Sequence, residues 1–559
     1  GMLDFVPKIE SVWKNEPARV KESAEKIKSG FSQSLALGKS TGSLSDDIIS
    51  KTKESLARRF DSSEGGFGTA PKFPSPHNLL FLTHHHSITG DEDAMNMVSL
   101  TLEKMRLGGI WDHVGKGFHR YATDQHWLLP HFEKMLYDQA MLLLAYAEAW
   151  KTTGNPLFRE TAMDIVQYAD ECLTSPDGAF FSAEDADSEG EEGKFYVWSK
   201  AEIEEILPPG DASLFCEVYQ IEKEGNFKDE ATRQKTGANI PHLESSVRKE
   251  AENRDLAPGE LKQKLDEILT VLHDHRQQRE RPQLDDKILT DWNGLMIAAL
   301  ARAGVIFEDP ALVQLAENAW GVLLRECLRP GGELFHRLKD GEAAIPGMAD
   351  DYAFLTWGVL ELYDATFKPE YLSQAVKLQK IFDEQFLDRE HGGYFFTARD
   401  AETLLGRQKE IYDGAIPSSN SVAALNGFRL SRLTGKTHWE QQSLDIFKTF
   451  SDQINEAPSG YTFALHVYQI ILSETMEIVI CSPDQNSETD EIIRTSRKKT
   501  PPGTALLLKT RDLAPELDTI SPFTKDYPVG DKPAVYVCRN FQCEAPVFSK
   551  EDLVGVLSG

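Results

Sequence analysis

The sequence is poor in cysteine, and the few cysteines are scattered. Six occur in 559 residues, and none forms a Cys-x-x-Cys pair. This is too few for a disulfide framework in a chain of this length. Cys538 and Cys543 lie close together in sequence, but no second pair completes a zinc site. We therefore predict six reduced structural cysteines, as in a cytoplasmic protein.

Basic residues and long apolar runs are also scarce. Lys and Arg total 60 against 89 Asp and Glu, which gives a net charge of −29. An acidic surface repels nucleic acid and anionic membranes, so we expect neither as a partner. No uninterrupted apolar run of about 18 residues occurs, so we expect no transmembrane helix. The chain is still 40% hydrophobic and 9% aromatic, which is enough for a large core.

A repeat of about 40 residues organises most of the chain. Each copy begins with a nearly all-apolar helix, continues through a turn and an amphipathic helix, and ends on a glycine followed by aromatic residues. The segment from Gly65 to Gly68 is interpreted as the end of a further, irregular copy. In five copies the glycine lies 40 to 42 residues after the first helix begins, at His77, Asp138, Asp291, Asp351 and Ser419.

These helix pairs predict the fold class. A helix that is apolar all round must be buried on all sides, and a following amphipathic helix can shield it from water. Five or six such hairpins predict a mainly α protein, an (α/α)6 toroid over residues 5–474 with an insertion at about 188–285. The inner helices then point the same way, and their N-termini surround a pocket at one end. Residues 475–559 contain three apolar strand patterns and a helix, which predict a small α/β domain.

Histidines cluster before the inner helix that Asp138 begins. Four of them fall within 19 residues, and this run is expected to cross the mouth of the pocket. Because histidine transfers protons near neutral pH, His113 and His131 are candidate catalytic residues. The alternative is that these histidines only brace the turns between helices.

Carboxylates form a second candidate catalytic group. Glu184 and Asp185 lie in an acidic turn, where repulsion between like charges raises a pKa as a general acid requires. Asp291 and Asp351 lie at the starts of inner helices. A glycosidase needs two carboxyl groups about 5–10 Å apart, which a residue of the turn and a helix-start aspartate would supply. The structural alternative for the aspartates is helix capping.

Aromatic and polar residues beside these motifs suit a sugar ring, which stacks on aromatic faces and forms hydrogen bonds through its hydroxyls. Core packing is the alternative for each Trp, and the recurrence of Phe118-His119-Arg120 as Phe335-His336-Arg337 favours a structural role for His119. No metal-ligand spacing supports a metal site, and no cofactor is expected. The candidate substrate-binding residues are Trp111, Asp112, His119, Arg120, Tyr121, Glu133, Asp138, Trp292, Asn293, Tyr352, Asp413 and Asn420.

Five motifs are similar to those of a known family: GGFGTAPKFP at 65–74, HFEKMLYDQ at 131–139, SAEDADS at 182–188, LTDWNG at 289–294 and VCRNFQC at 537–543. From about residue 5 to the C-terminus, the chain resembles the thioredoxin-domain-containing family typified by spermatogenesis-associated protein 20. The resemblance implies a helical part similar to N-acylglucosamine 2-epimerases and six-hairpin glycosidases. Family members usually carry a thioredoxin-like domain before this region, so the resemblance implies such a domain as a partner in full-length relatives. Without that domain, its redox activity does not carry over to this sequence.

Two functions remain open at this point. The first is a carbohydrate-active enzyme, either a glycoside hydrolase or a sugar epimerase or isomerase, which acts on a small sugar-like molecule by acid–base catalysis. The second is a non-catalytic glycan- or protein-binding scaffold that works with a thioredoxin-like domain. Fold analogy alone does not establish chemistry, so the residues of the pocket must decide between them.

Overall fold

A computed structural model describes residues 2–36, 42–229, 232–402, 406–539 and 542–558. Its largest part is a double ring of helices, named α1 to α12 in chain order. The inner helices are α2 (Pro76–Thr89), α4 (Leu136–Thr153), α6 (Thr290–Phe307), α8 (Ala349–Thr366), α10 (Ser419–Thr434) and α12 (Thr462–Leu472). The outer helices are α1 (Ile48–Arg59), α3 (Glu92–Leu107), α5 (Pro156–Tyr168), α7 (Pro310–Val322), α9 (Pro369–Gln385) and α11 (His438–Thr449).

The inner helices form a closed ring. Each packs against the next in the order α2, α4, α6, α8, α10, α12, and α12 packs back onto α2. Each outer helix packs against an inner one, and α1, at the start of the ring, covers α12, at its end. The inner helices are largely apolar and are buried along most of their length, which explains their place in the centre. The prediction of an (α/α)6 toroid is confirmed.

Contacts between helix starts show that the inner helices point the same way. The Asp413 carboxylate accepts hydrogen bonds from the Ser418 amide just before α10 (2.9 Å) and the Phe463 amide in α12 (2.9 Å). At the seam of the ring, the Thr462 hydroxyl donates to Asn78 in α2 (2.7 Å). One end of the barrel is therefore lined by helix N-termini, and we call this end the mouth.

A repeated contact fixes the glycine-aromatic segments to the inner helices. In three copies, an amide side chain near the start of an inner helix bonds to both the N–H and the C=O of one aromatic residue. The same aromatic residues form single β-bridges to residues that follow the outer helices. Backbone that would otherwise be buried without partners is thus satisfied by the following helix. The pairs are Gln139 with Phe118, Asn293 with Phe180, and Asn420 with Tyr394.

The long insertion and the C-terminal region lie outside the ring. The insertion contains an amphipathic helix at Pro258–Arg276, whose leucines at 261, 265 and 272 are buried, together with helices Lys200–Ile206, Pro209–Val218 and Val247–Asn253. A hairpin of β1 (Phe335–Lys339) and β2 (Glu342–Pro346) precedes α8. The strands of the C-terminal sheet are β3 (Met476–Cys481), β4 (Ala505–Lys509), β5 (Ala534–Arg539) and β6 (Gln542–Cys543). They lie in the order β4-β3-β5-β6.

The remaining described helices flank these units. Met2–Asn15 and Pro17–Ala36 form a helix pair before the ring, and the side chains of residues 2–30 are almost all exposed. Ser451–Glu456 precedes α12, and the C-terminal sheet is accompanied by Ser487–Lys499, Ala514–Ile520 and Lys550–Ser558. Within the described residues, no helix is long and apolar enough to cross a membrane.

The expectation of six reduced cysteines is wrong. Cys538 and Cys543 form a disulfide, because the β5–β6 hairpin places them directly opposite each other. At the end of α2, His84 and His85 are buried against the neighbouring inner helices.

Asn420→Ala tests the amide contact. The substitution leaves the buried N–H and C=O of Tyr394 without partners, and we expect the free energy of unfolding to fall by about 3 kcal/mol. Urea denaturation followed by circular dichroism measures this change. Asn318→Ala, at an exposed position of α7, is the matched control and should change it by less than about 0.5 kcal/mol. Equal effects of the two substitutions would contradict the assigned role.

Candidate functional site

An acidic cluster lies at the mouth, where α6, α8 and β1 meet. The Asp351 carboxylate accepts hydrogen bonds from the Asp291 amide (3.1 Å) and the Met348 amide (2.7 Å), and its Oδ1 lies 3.0 Å from His336 Nδ1. Asp351 is fully buried, and Asp291 is 6% exposed. We call Asp291, His336 and Asp351 the mouth triad. Among the described residues, only this group offers three potential metal ligands within 4.8 Å of one another.

The environment of the mouth triad raises the pKa values of Asp291 and His336 for different reasons. Burial and the neighbouring Asp351 carboxylate raise the pKa of Asp291 well above its usual range, which favours its protonated form. Burial alone would lower the pKa of His336, but its bond to Asp351 outweighs this effect and raises the pKa to about 9. Asp350 is half-buried beside the triad, and its burial raises its pKa to about 7. The cluster therefore combines an acid whose pKa is raised with a histidine–carboxylate pair, a combination suited to acid–base chemistry.

Asp291 differs from the acids at the opposite end of the barrel. There, Glu148 lies 2.6 Å from Arg302 and Glu361 lies 2.6 Å from Arg429, so each buried carboxylate has a guanidinium partner. The Asp291 carboxylate has a hydrogen bond from the Trp292 amide (2.8 Å) and faces another carboxylate. His336, the basic member of the triad, is bonded to Asp351 rather than to Asp291, and buried acids with raised pKa values are concentrated at functional sites.

A second polar group extends the mouth towards α4. Asp138 is buried, and its Oδ2 has no hydrogen-bond partner in the described part of the chain. Burial raises the pKa of Asp138 well above its usual range. The Tyr137 ring packs edge-on against the half-buried Trp292 ring at 4.8 Å, which connects this group to α6. Arg120 pairs with Glu133 at 2.9 Å nearby.

Other predicted acids lie instead in structural ion pairs. Asp112 is held by both terminal nitrogens of Arg276 (2.9 and 2.8 Å) and by Lys134 (2.8 Å), and these cations hold its pKa well below its usual range despite burial. Glu184 lies 2.5 Å from Arg281 and accepts a hydrogen bond from Tyr168 (2.7 Å). Because Arg276 and Arg281 come from the end of the insertion, these pairs fasten the insertion to the ring.

The remaining candidates lie outside the mouth triad, in several kinds of position. His113 and His119 are buried against backbone carbonyls, and burial lowers the pKa of each to about 3. His131 bridges Glu133 (3.1 Å) and Glu192 (2.7 Å) at the rim. Asp185 is exposed and caps its own turn. Trp111 is a core residue, and Tyr121 stacks on Phe73. In four further candidates the polar side-chain group is already hydrogen-bonded to backbone amides or carbonyls: Asn293, Tyr352, Asp413 and Asn420.

The structure therefore brings together Asp291 and Asp351 but not the acidic turn at 184–185. It also adds His336 and Asp350, which the sequence analysis did not select. One signal was available for His336: it occupies the place of His119 in a second copy of the Phe-His-Arg motif. Only the structure shows that one copy faces Asp351 while the other lies against a carbonyl.

Arg276→Met tests the structural role of Asp112. Removing the guanidinium leaves a buried carboxylate poorly compensated, and we expect a loss of about 3–5 kcal/mol in unfolding free energy. Thermal and urea unfolding measure the change. Arg248→Met is the control, because Arg248 pairs with Glu252 on the surface and should contribute less than about 1 kcal/mol. A small loss for Arg276→Met would contradict the assignment.

The ion pair of His336 predicts a pH dependence of stability. Its pKa is raised from 6.5 to about 9 in the folded protein, so its stabilising contribution is complete below pH 6.5 and is lost as the pH rises through about 9. We expect the stability difference between wild type and His336→Gln to shrink over this range. Unfolding at stepped pH and the NMR titration of the His336 ring test this. A midpoint at or below 6.5 would contradict the pairing.

Together, the ring and its acidic mouth define an (α/α)6 toroid protein with a polar site at the N-terminal ends of its inner helices. Human spermatogenesis-associated protein 20 is 32% identical over 98% of this chain and 74% of its own length. The rat protein of the same name is 33% identical over 89% of this chain and 67% of its own length. An uncharacterised protein of Caenorhabditis elegans is 32% identical over 99% and 79%. The chain belongs to the spermatogenesis-associated protein 20 family.

More distant similarities are found among solved structures, while no protein-family model matches the chain. A cellobiose 2-epimerase from Bacillus thermoamylovorans is 10% identical over 76% of this chain and all of its own, with a TM-score of 0.47. A D-mannose isomerase is 11% identical over 73% and 85%, with a TM-score of 0.48. A GH76 α-mannanase from Bacteroides thetaiotaomicron is 11% identical over 76% and 96%, with a TM-score of 0.45. Similarity at this level does not establish the chemistry of this chain.

Proposed function

We propose that this protein is a carbohydrate-active enzyme whose active site is the mouth of the ring, with the mouth triad as its acid–base centre. The observation that carries the proposal is the convergence of Asp291, Asp351 and His336 from three elements onto one buried point. An arrangement that served capping alone would need Asp351 but would have no use for a second buried carboxyl group beside it.

The two aspartates of the triad suit different roles. Asp291, whose raised pKa favours the protonated form, is placed to donate a proton to a glycosidic or carbonyl oxygen. Asp351 pairs with His336, and its carboxylate beside Asp291 raises the pKa of Asp291. Asp350 is half-buried beside them and has a pKa of about 7, which suits a group that takes up and releases a proton during turnover.

The rest of the mouth suits a neutral sugar ring. Trp292 is half-buried next to Tyr137 and offers an aromatic surface beside the triad. The Oδ2 of Asp138 has no hydrogen-bond partner among the described residues and supplies a polar group for a substrate hydroxyl; burial favours the protonated carboxyl group, which can donate as well as accept a hydrogen bond. A substrate with an apolar face and several hydroxyls would satisfy both groups, as sugars do.

Asp291→Asn is the decisive substitution. It keeps the size of the side chain and removes the acidic proton, so we expect turnover of a mono- or disaccharide to fall by at least about 100-fold. The melting temperature should change little, because the Asn oxygen can still accept the bond from the Trp292 amide. NMR detection of anomeric and epimeric products, after a thermal-shift screen of sugars, measures both properties. Asp340→Asn, at an exposed turn, is the matched control.

The outcomes separate the possibilities. A large drop in melting temperature for Asp291→Asn would show that the residue is structural. Saccharide binding by the wild type without turnover would favour the glycan-binding scaffold instead. If the activity disappears after treatment with EDTA and returns with a divalent cation, the triad binds a catalytic metal ion, and the proposed proton-transfer role of Asp291 is wrong.

A further inference from the structure

The C-terminal sheet carries a cysteine pair that the proposed sugar chemistry does not use. Cys538 on β5 and Cys543 on β6 are register partners in an antiparallel hairpin, with Cα atoms 3.9 Å apart, and they form a disulfide. Their environments differ sharply, because Cys538 is 2% exposed and Cys543 is exposed. An external thiol can therefore reach the Cys543 sulfur but not the Cys538 sulfur.

A hydroxyl group lies beside both sulfurs. The Tyr527 Oη is 2.9 Å from the Cys543 sulfur and 3.6 Å from the Cys538 sulfur. The Tyr527 ring is positioned by the Tyr536 ring, whose centroid is 4.6 Å away. A phenolic hydroxyl in this position can donate a hydrogen bond to a thiolate and so stabilise the sulfur that leaves when a disulfide is attacked.

The other cysteines in the described residues are unsuited to this reaction. Cys216, Cys327 and Cys481 are buried free thiols, and Cys172 is half-buried. Burial raises the pKa of Cys327 and of Cys481 to about 11, which suppresses the reactive thiolate. The disulfide also closes a short loop within a hairpin that is already hydrogen-bonded, and short loops gain the least stability from a cross-link.

We propose that Cys538 and Cys543 form a reversible thiol–disulfide exchange site that reacts with small thiols of the glutathione class. A thiolate attacks the exposed Cys543 sulfur, the bond between the two cysteines breaks, and Cys538 leaves as a thiolate that accepts a hydrogen bond from Tyr527. A second thiolate attacks the external sulfur of the mixed disulfide and releases Cys543. The pair gains two electrons and two protons, and two small thiols become one small disulfide.

Equilibration of the full chain with defined ratios of reduced to oxidised glutathione tests the proposal. Differential alkylation and mass spectrometry then give the fraction of the pair that is oxidised. We expect a reversible titration confined to Cys538 and Cys543, with unchanged circular dichroism. Two results would overturn the proposal. In the first, the disulfide stays oxidised in excess reduced glutathione while the protein stays folded. In the second, oxidised glutathione fails to re-form the disulfide from the reduced pair.

Variants test the order of attack and the role of the tyrosine. In Cys538→Ser, oxidised glutathione should form a stable mixed disulfide on Cys543, whereas Cys538 in the Cys543→Ser variant should react at least about tenfold more slowly because it is buried. Tyr527→Phe should slow reduction by roughly two- to tenfold, the effect of one lost hydrogen bond, and Tyr536→Phe is its matched control. Faster glutathionylation of Cys538 than of Cys543, or equal rates in the two tyrosine variants, would contradict the mechanism.

Discussion

The shared direction of the six inner helices is the constraint on which the rest of the molecule depends. Each helix start carries unpaired N–H groups and a partial positive charge, and the ring gathers six of them at one end. Acidic and amide side chains are stabilised there, as the paired capping by Asp413 shows. The same field makes it possible for several aspartates to lie close together in a buried place. The geometry of the ring is thus also the origin of its acidic mouth.

Aspartate serves both to cap helices and to take part in acid–base chemistry. In this structure the two roles differ in how many hydrogen bonds the carboxylate accepts. Asp413 accepts bonds from two helix starts and has no free capacity. Asp351 also accepts several hydrogen bonds, but one of its partners is His336, which is itself an ionisable group. Asp291 has few donors and faces Asp351. The shortage of hydrogen-bond donors to Asp291, rather than the presence of an aspartate at a helix start, distinguishes the triad from the capping aspartates.

The ring could be predicted from sequence because its pattern is repeated. A nearly all-apolar helix must be buried, and five glycines recur at nearly constant spacing after the starts of such helices. The triad could be predicted only in part. Asp291 and Asp351 follow from their positions at helix starts, whereas His336 reaches them from a hairpin whose fold has no strong local pattern. Asn293 and Asn420 show the opposite difficulty. Their position at the mouth suggested ligand binding, but only coordinates show that backbone groups already occupy their amides.

The seam of the ring has a consequence for how the protein is made. The bond between Thr462 and Asn78 joins residues 384 positions apart, and α1, the first outer helix, packs on α12, the last inner one. During synthesis, the early hairpins leave the ribosome long before the helix that completes their circle. Until α12 emerges, the apolar flanks of α2 have no partner on that side, so the nascent chain must be guarded against aggregation for most of its translation. Closure by sequence-distant ends also makes folding slow relative to a bundle of local contacts.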